Sequence, residues 1–368
     1  MKFNKFALSE LATIKYGKNQ KKVLSEGGNI PIYGTGGLMG YATTALYDKP
    51  SVLIGRKGTI GKVKYVEHPF WTVDTLFYTI VNTDIVLPKY LYYVMSLMDL
   101  NNYNEGTTIP SLRTETLNRL EFDIPSLVEQ ETILSCLNPI DEKIALNNAI
   151  NNNLEQQAQA IFTNEFLSLE TLPDGWKQAS LIDIADYLNG LAMQKYRPST
   201  DETGIPVLKI KELRQGCCDD NSELCSPNIK SDYIIHDGDV IFSWSGSLLV
   251  DFWCGGVCGL NQHLFKVTSA KYDKWFYYAW TRHHLDRFIA VAADKATTMG
   301  HIKRDELAKA EVLIPNEKDY NRIGALLQPI FDLIISNRIE NKKLAETRDT
   351  LLPKLISGEV DISEGDYE

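Results

Sequence analysis

The sequence predicts an α+β protein arranged as module, long helix, module, long helix, with the second half an internal repeat of the first. Three observations carry that expectation. Segments about 185–190 residues apart repeat one another. Each globular part shows short β-branched and aromatic runs punctuated by Gly and Pro. Each is followed by a sustained apolar heptad. The expected boundaries are a first module over 1–124, a helical segment over 125–170, a second module over 171–314, a second helical segment over 315–358 and an acidic tail over 359–368.

The repeat is clearest where residues 106–162 lie on 296–352 without a gap. Thr107-Thr108 falls on Thr297-Thr298, Ile124-Pro125 on Ile314-Pro315, and Pro139-Ile140 on Pro329-Ile330. Asn147, Asn151 and Leu154 meet Asn337, Asn341 and Leu344. Upstream the offset drifts by a few residues. Lys89-Tyr-Leu-Tyr-Tyr93 matches Lys274-Trp-Phe-Tyr-Tyr278, and Leu76-Phe77 matches Leu264-Phe265. Ser51-Val-Leu-Ile-Gly-Arg56-Lys-Gly-Thr59 matches Asp239-Val-Ile-Phe-Ser-Trp244-Ser-Gly-Ser247, and Leu11-Ala12 and Gly17 answer Ile184-Ala185 and Gly190.

Within the modules, Ser51–Ile54, Val73–Val81, Asp239–Trp244 and His263–Val267 have the composition of strands. Gly34-Thr-Gly36-Gly37-Leu-Met-Gly40 is followed by another strand-like run, so it is expected to be a turn and not a phosphate loop. Helices are expected over Pro88–Leu100 and Lys274–Ile289, their stripes of Tyr90 and Tyr93 and of Trp275 and Tyr278 packing into a core.

After Pro125 the heptad runs Ile133, Leu137, Ile140, Ile144, Asn147, Asn151, Leu154, Ala158, Ile161. After Pro315 it runs Ile323, Leu327, Ile330, Ile334, Asn337, Asn341, Leu344, Arg348, Leu351. Helices of about 40 residues would be roughly 60 Å long. Pro139 and Pro329 fall inside the pattern without breaking its register, which predicts a kink and not a stop. If the helices pair antiparallel with centres aligned, Asn147 faces Asn337. Such a polar pair costs stability and fixes register. The other reading places the asparagines on the solvent edge.

The net charge is −10, which taken alone argues against a nucleic-acid partner. Its distribution reverses that. Residues 1–64 carry eleven Lys and Arg, among them Lys18, Lys21, Lys22, Arg56, Lys57 and Lys62, against three acids. A second, smaller basic excess lies over 271–304, which includes Lys303 and Arg304, whereas residues 176–250 have eleven acids to seven bases. A solvated Lys-rich face is the alternative on charge alone. Arg56 and Lys57, on a Gly-flanked turn, are the candidate base or phosphate contacts of the first module, with Thr59 beside them. Thr107, Thr108, Thr297 and Thr298 are either phosphate contacts or turn and cap residues.

Catalysis is not expected. Arg56-Lys-Gly-Thr-Ile-Gly61-Lys62-Val63 lacks both the first glycine and the hydroxyl of a nucleotide-binding P-loop, and no GxSxG nucleophile elbow occurs. Cys217, Cys218, Cys225, Cys254 and Cys258 lack paired zinc-ligand spacing and read as free thiols. Neither an apolar run of membrane-spanning length nor a signal-peptide core is present, so a cytoplasmic protein without membrane association is expected.

The repeat, the run Val52-Leu-Ile-Gly-Arg56-Lys-Gly-Thr-Ile-Gly61 and the segment Asn341-Lys-Lys-Leu-Ala-Glu-Thr-Arg348-Asp-Thr-Leu-Leu-Pro353-Lys-Leu-Ile-Ser-Gly358-Glu together resemble the specificity subunits of Type I restriction–modification systems, essentially end to end. The resemblance implies two target-recognition domains of mixed α/β structure, each reading half of a split, asymmetric site in double-stranded DNA. It implies that the helical repeats form an antiparallel coiled coil, giving a pseudo-two-fold molecule. Its implied partners are two modification (methyltransferase) subunits and restriction (translocase/nuclease) subunits. S-adenosylmethionine, ATP and magnesium would be held by those partners, with no cofactor in this chain. Where the first module has Gly-Arg-Lys-Gly-Thr the second has Ser243-Trp-Ser-Gly-Ser, so an Arg56-type contact does not carry across. Ser245, Ser247, Gln262 and His263 are the candidate readers there. A scaffold whose modules bind protein on a coiled-coil rod is the alternative.

Overall fold

A computed structural model describes residues 1–294 and 304–360. The chain divides into two compact units. The first comprises Met1–Glu142 and the segment from Glu346 onward, and the second Lys143–Ala345.

The first unit contains β1 (Asn4–Ala7), α1 (Leu8–Leu11), β2 (Ala12–Tyr16), β3 (Ile30–Gly34), β4 (Gly37–Ala42), β5 (Ser51–Gly55), β6 (Val63–Val66), β7 (Trp71–Thr72), β8 (Leu76–Val81), α2 (Pro88–Ser96), α3 (Thr114–Asn118) and β9 (Glu121–Ile124). The long helix α4 spans Leu127–Phe162, and its residues through Glu142 belong to this unit. The main sheet has the order β2-β8-β5-β6, a smaller one β4-β3-β7, and β1 pairs with β9. β5 is buried along its whole length because the sheet is covered on both faces. Val52 and Ile54 face the cluster that contains Tyr90, Tyr93, Ile133 and Leu137, whereas Leu53 faces Tyr33, Val66 and Phe70.

The second unit repeats this plan with β10 (Lys177–Ser180), α5 (Leu181–Ile184), β11 (Asp186–Asn189), β12 (Ile205–Leu208), α6 (Ile210–Gln215), β13 (Leu224–Cys225), β14 (Ile234–Ile235), β15 (Val240–Ser243), β16 (Leu249–Phe252), β17 (Cys258–Leu260), β18 (Leu264–Thr268), α7 (Lys274–His283), α8 (Leu285–Asp294), α9 (Arg304–Ala308) and β19 (Glu311–Ile314). The helix α10 spans Glu317–Ser357. The sheet orders are β11-β18-β15-β16 and β13-β12-β17-β14, with β10 paired to β19. β15 alternates as β5 does, Val240 and Phe242 facing the aromatic cluster and Ile241 the other side. Gly17 and Gly190 have the same job in the two units. A Cβ on Gly17 would fall on the Val73 carbonyl, and one on Gly190 on the Asn261 carbonyl.

The expected strands and the glycine turn at 34–40 are present, the latter as the β3–β4 hairpin. Two expected helices are shorter than their periodicity suggested. The first ends at Ser96, and the second breaks at His284 into α7 and α8. The stripe positions Tyr90, Tyr93, Trp275 and Tyr278 are all buried. At the break the His284 ring donates from Nε2 to the Glu311 carbonyl at 2.7 Å. Burial there pushes its pKa down from 6.5 to about 4, with His283 and Arg287 nearby acting in the same direction. Between those values the unfolded chain binds the extra proton, so stability is full above pH 6.5 and falls as the pH drops toward 4. His284→Gln is expected to flatten a loss of at most about 3 kcal/mol over that window, measured by urea unfolding at pH 7 and pH 4.5. An unchanged pH dependence would contradict the assignment.

Every predicted seam position is buried or half-buried, and both prolines are accommodated within continuous helices. The seam is shared with the modules. Ile133 and Leu137, joined by Leu352 and Leu355, enter the first unit's core, while Ile323 and Leu327, joined by Ala158 and Phe162, enter the second unit's.

In the second unit α4 and α10 run antiparallel, but Asn147 does not face Asn337. Asn147 donates to Asn341 Oδ1 at 2.9 Å and Glu340 Oε2 at 2.7 Å, and Asn337 donates to Asn151 Oδ1 at 2.9 Å. The register is one helical turn away from centre alignment, because this pairing matches each asparagine to its neighbour's repeat copy and satisfies both buried amides. Asn147, Asn151 and Asn337 are buried, which rules out the solvent-edge reading. Asn337→Leu alone is expected to cost about 1–3 kcal/mol by stranding Asn151, and Asn151→Leu with Asn337→Leu much less than the sum of the singles. A thermal-melt double-mutant cycle showing simple additivity would refute the pairing.

Candidate nucleic-acid interface

In the first unit the β5–β6 loop, residues 56–62, is fixed by backbone bonds. Arg56 N–H donates to the Thr75 carbonyl at 2.8 Å, Leu112 N–H to the Arg56 carbonyl at 3.0 Å, and Gly58 N–H to the Pro110 carbonyl at 2.9 Å. Gly58 has a φ of +88°, which a side chain would strain, so the turn is held open by glycine. Arg56 lies with its guanidinium carbon 5.0 Å from the Tyr16 ring centre and donates from NH1 to the Asp74 carbonyl at 2.8 Å. One of its five N–H groups is thereby committed and the fork is pre-oriented, with little entropy left to lose on binding.

Lys57, Thr59 and Lys62 are exposed along the same loop. Thr107 and Thr108 are exposed on the segment that delivers Pro110 and Ser111 to it, Lys57 bridging to Ser111. The fold therefore sets the segment that follows Thr107 and Thr108 beside the loop of Arg56, Lys57 and Thr59. Lys18, Lys21 and Lys22 are exposed after β2, where the Lys18 carbonyl accepts from Trp71 Nε1. Periodicity alone missed Tyr16, and it missed Lys64, whose ammonium lies 3.8 Å from the Tyr33 ring centre.

In the second unit the loop between β15 and β16 occupies the same place. Trp244 stands where Arg56 does, its Nε1 donating to Asn189 Oδ1 at 3.0 Å at the end of β11, as Arg56 covers Tyr16 at the end of β2. Gly246, the partner of Gly58, has a φ of +64°. Ser245 Oγ lies 3.1 Å from His263 Nδ1, and Gln262 Nε2 lies 3.3 Å from His263 Nε2. The structure thus gathers Gln262 and His263 beside an exposed Ser247, whereas Ser245, expected among the readers, is buried and its hydroxyl is engaged by His263. Arg304 is exposed but donates to the Tyr187 carbonyl at 2.9 Å, anchoring β11. Thr297, Thr298 and Lys303 lie outside the described residues.

The model of the Type I restriction modification DNA specificity domain matches residues 1–156 and again 173–346. The chain belongs to this family. The MjaIX specificity subunit of Methanocaldococcus jannaschii is 27% identical over 348 residues, covering 87% of this chain and 79% of that one. The HindI specificity subunit of Haemophilus influenzae is 22% identical over 385 residues, covering 82% and 84%. The crystal structure of the S subunit from M. genitalium has a TM-score of 0.59 at 15% identity over 96% of each chain, a likeness of fold. Two copies of the specificity domain are the two repeated halves found above.

Cys225, Cys254 and Cys258 are buried, and burial pushes the first two thiols up to about 11. Among the described residues no three His, Cys, Asp or Glu side chains converge as a metal site. No described helix is long and apolar enough to cross a membrane.

Proposed function

We propose that this chain is the non-catalytic, sequence-reading subunit of a Type I restriction–modification complex, each module reading one half of a split site in double-stranded DNA. One observation carries the reading. The same sheet position, with the same glycine-held turn, presents Arg56, Lys57 and Thr59 in one module and Trp244 and Ser247 in the other. A repeated frame with divergent surface chemistry suits two readers of different sequences. The long helices held together far better than the modules, as surfaces that dock two equivalent modification subunits would. Those subunits would hold S-adenosylmethionine, and restriction subunits ATP and magnesium, all in the cytoplasm.

Co-expression with a cognate methyltransferase subunit, followed by sequencing for methylated adenine, tests this. A split motif modified on both strands is expected. No methylation, or a contiguous motif, would refute the division of labour. DNA affinity of the assembled complex should also fall steeply with salt, whereas a protein-binding scaffold would show no such slope.

A further inference from the structure

The first module carries an apolar tip that the Arg56 loop does not use. Thr35 and Gly36 link β3 to β4, and a Cβ on Gly36 or Gly37 would meet open space. The register slips between Ile32 and Tyr33, leaving Met39 as the extra residue of a bulge, where it crosses over Gly34. Leu38 and Met39 are each 54% exposed and Tyr41 44%. Leu24, bridged to Ala42 next to them, is 54% exposed. Single exposed apolar residues are ordinary, but a contiguous group on one hairpin is not.

The surroundings are cationic. Lys21 and Lys22 are exposed on the turn leading to Leu24. At the hairpin's turn Thr35 approaches the Arg56 loop, its Oγ1 3.8 Å from where a Cβ on Gly58 would lie. Among the described residues the second module has no such hairpin. Residues 209–223, with α6 and the acids Glu212, Asp219, Asp220 and Glu223, replace the turn between β12 and β13.

We propose that Leu38 and Met39 form a wedge that inserts between base pairs of the first half-site, while Lys21 and Lys22 hold the flanking phosphates. This rests on the DNA-reading function proposed above. A slim apolar tip with a lysine rim beside a guanidinium fits a duplex, whose stacked bases accept apolar side chains and whose backbone accepts cations. A flat protein interface would bury a charge-poor centre under a broader patch. The wedge would select the half-site by how readily one base step unstacks, with no hydrogen-bond code.

The test uses the assembled methyltransferase complex and its methylation-defined site. 2-Aminopurine is placed in turn at each first-half position except the methylated adenine, and a photo-reactive p-benzoylphenylalanine replaces Leu38. One position is expected to brighten on binding and to lose that signal in Leu38→Ala with Met39→Ala, with about tenfold weaker binding. Leu38→Ala alone keeps Met39 over Gly34 and so guards against a loosened hairpin; it should lose most of the signal. The photo-reactive side chain should cross-link to DNA. Cross-linking to the methyltransferase subunit, variant complexes that no longer assemble, or unchanged fluorescence would overturn the wedge. If the unmodified complex yields no split motif, the proposed function itself fails; a split motif without a wedge signal overturns only this inference.

Discussion

Replacing Arg56 by Ala is expected to weaken binding of the assembled complex to its site by about 10–100-fold, the 1–3 kcal/mol of a well-formed arginine contact. The side chain is positioned before DNA arrives, by the Tyr16 ring on one side and the Asp74 carbonyl on the other. Arg56→Lys should recover little, because an ammonium neither stacks on Tyr16 nor forks. Tyr16→Leu, which removes the support and leaves the charge, should fall between them. Competition binding at two salt concentrations separates the possible roles. A loss confined to one base pair of the site marks a base reader, whereas a uniform loss with a salt slope reduced by about one marks a phosphate contact. Undiminished binding by Arg56→Ala would remove this loop from the interface.

Arg338→Leu is expected to destabilise the second unit by about 2–4 kcal/mol, seen as a drop of several degrees in thermal unfolding. Its guanidinium donates to Asp251 Oδ1 at 2.6 Å and to Glu155 Oε1 at 2.9 Å, so one α10 side chain ties β16 to α4. Arg282 approaches the other Glu155 oxygen at 3.8 Å. Removing Arg338 leaves two partly buried carboxylates, Asp251 keeping only the Phe252 N–H at 2.9 Å, and the unpaired charge costs more than the lost attraction. The side chains are about a quarter exposed, which places the effect below that of a fully buried pair. Arg338→Lys reaches only one carboxylate and should recover part of the loss. A melting temperature unchanged in Arg338→Leu would show that solvent already screens the cluster.

Much of the fold was legible because the chain states it twice. A hydrophobic period survives divergence, so the heptads, the strands at 51–54 and 239–244 and the turn at 34–40 could be read from residue order. Charge distribution likewise located Arg56 and Lys57, since a concentrated basic surplus stands out against an acidic total. Thr107 and Thr108 were picked out by repetition, but only the Gly58 bond to the Pro110 carbonyl shows why they accompany Arg56.

The sequence by itself determined the architecture, the repeat and the candidate readers, because those rest on periodicity and composition along the chain. Tertiary structure alone decided what depends on contacts between distant residues. It paired Asn147 with Asn341 and Asn151 with Asn337, since register is chosen by which buried amides can satisfy one another. It interrupted the aromatic helix at His284 and set that ring against a carbonyl on β19. It placed Arg56 over Tyr16 and Trp244 against Asn189, at the ends of corresponding strands. Local pattern specifies which elements form, and the hydrogen bonds and charges that must be satisfied on burial specify how they meet.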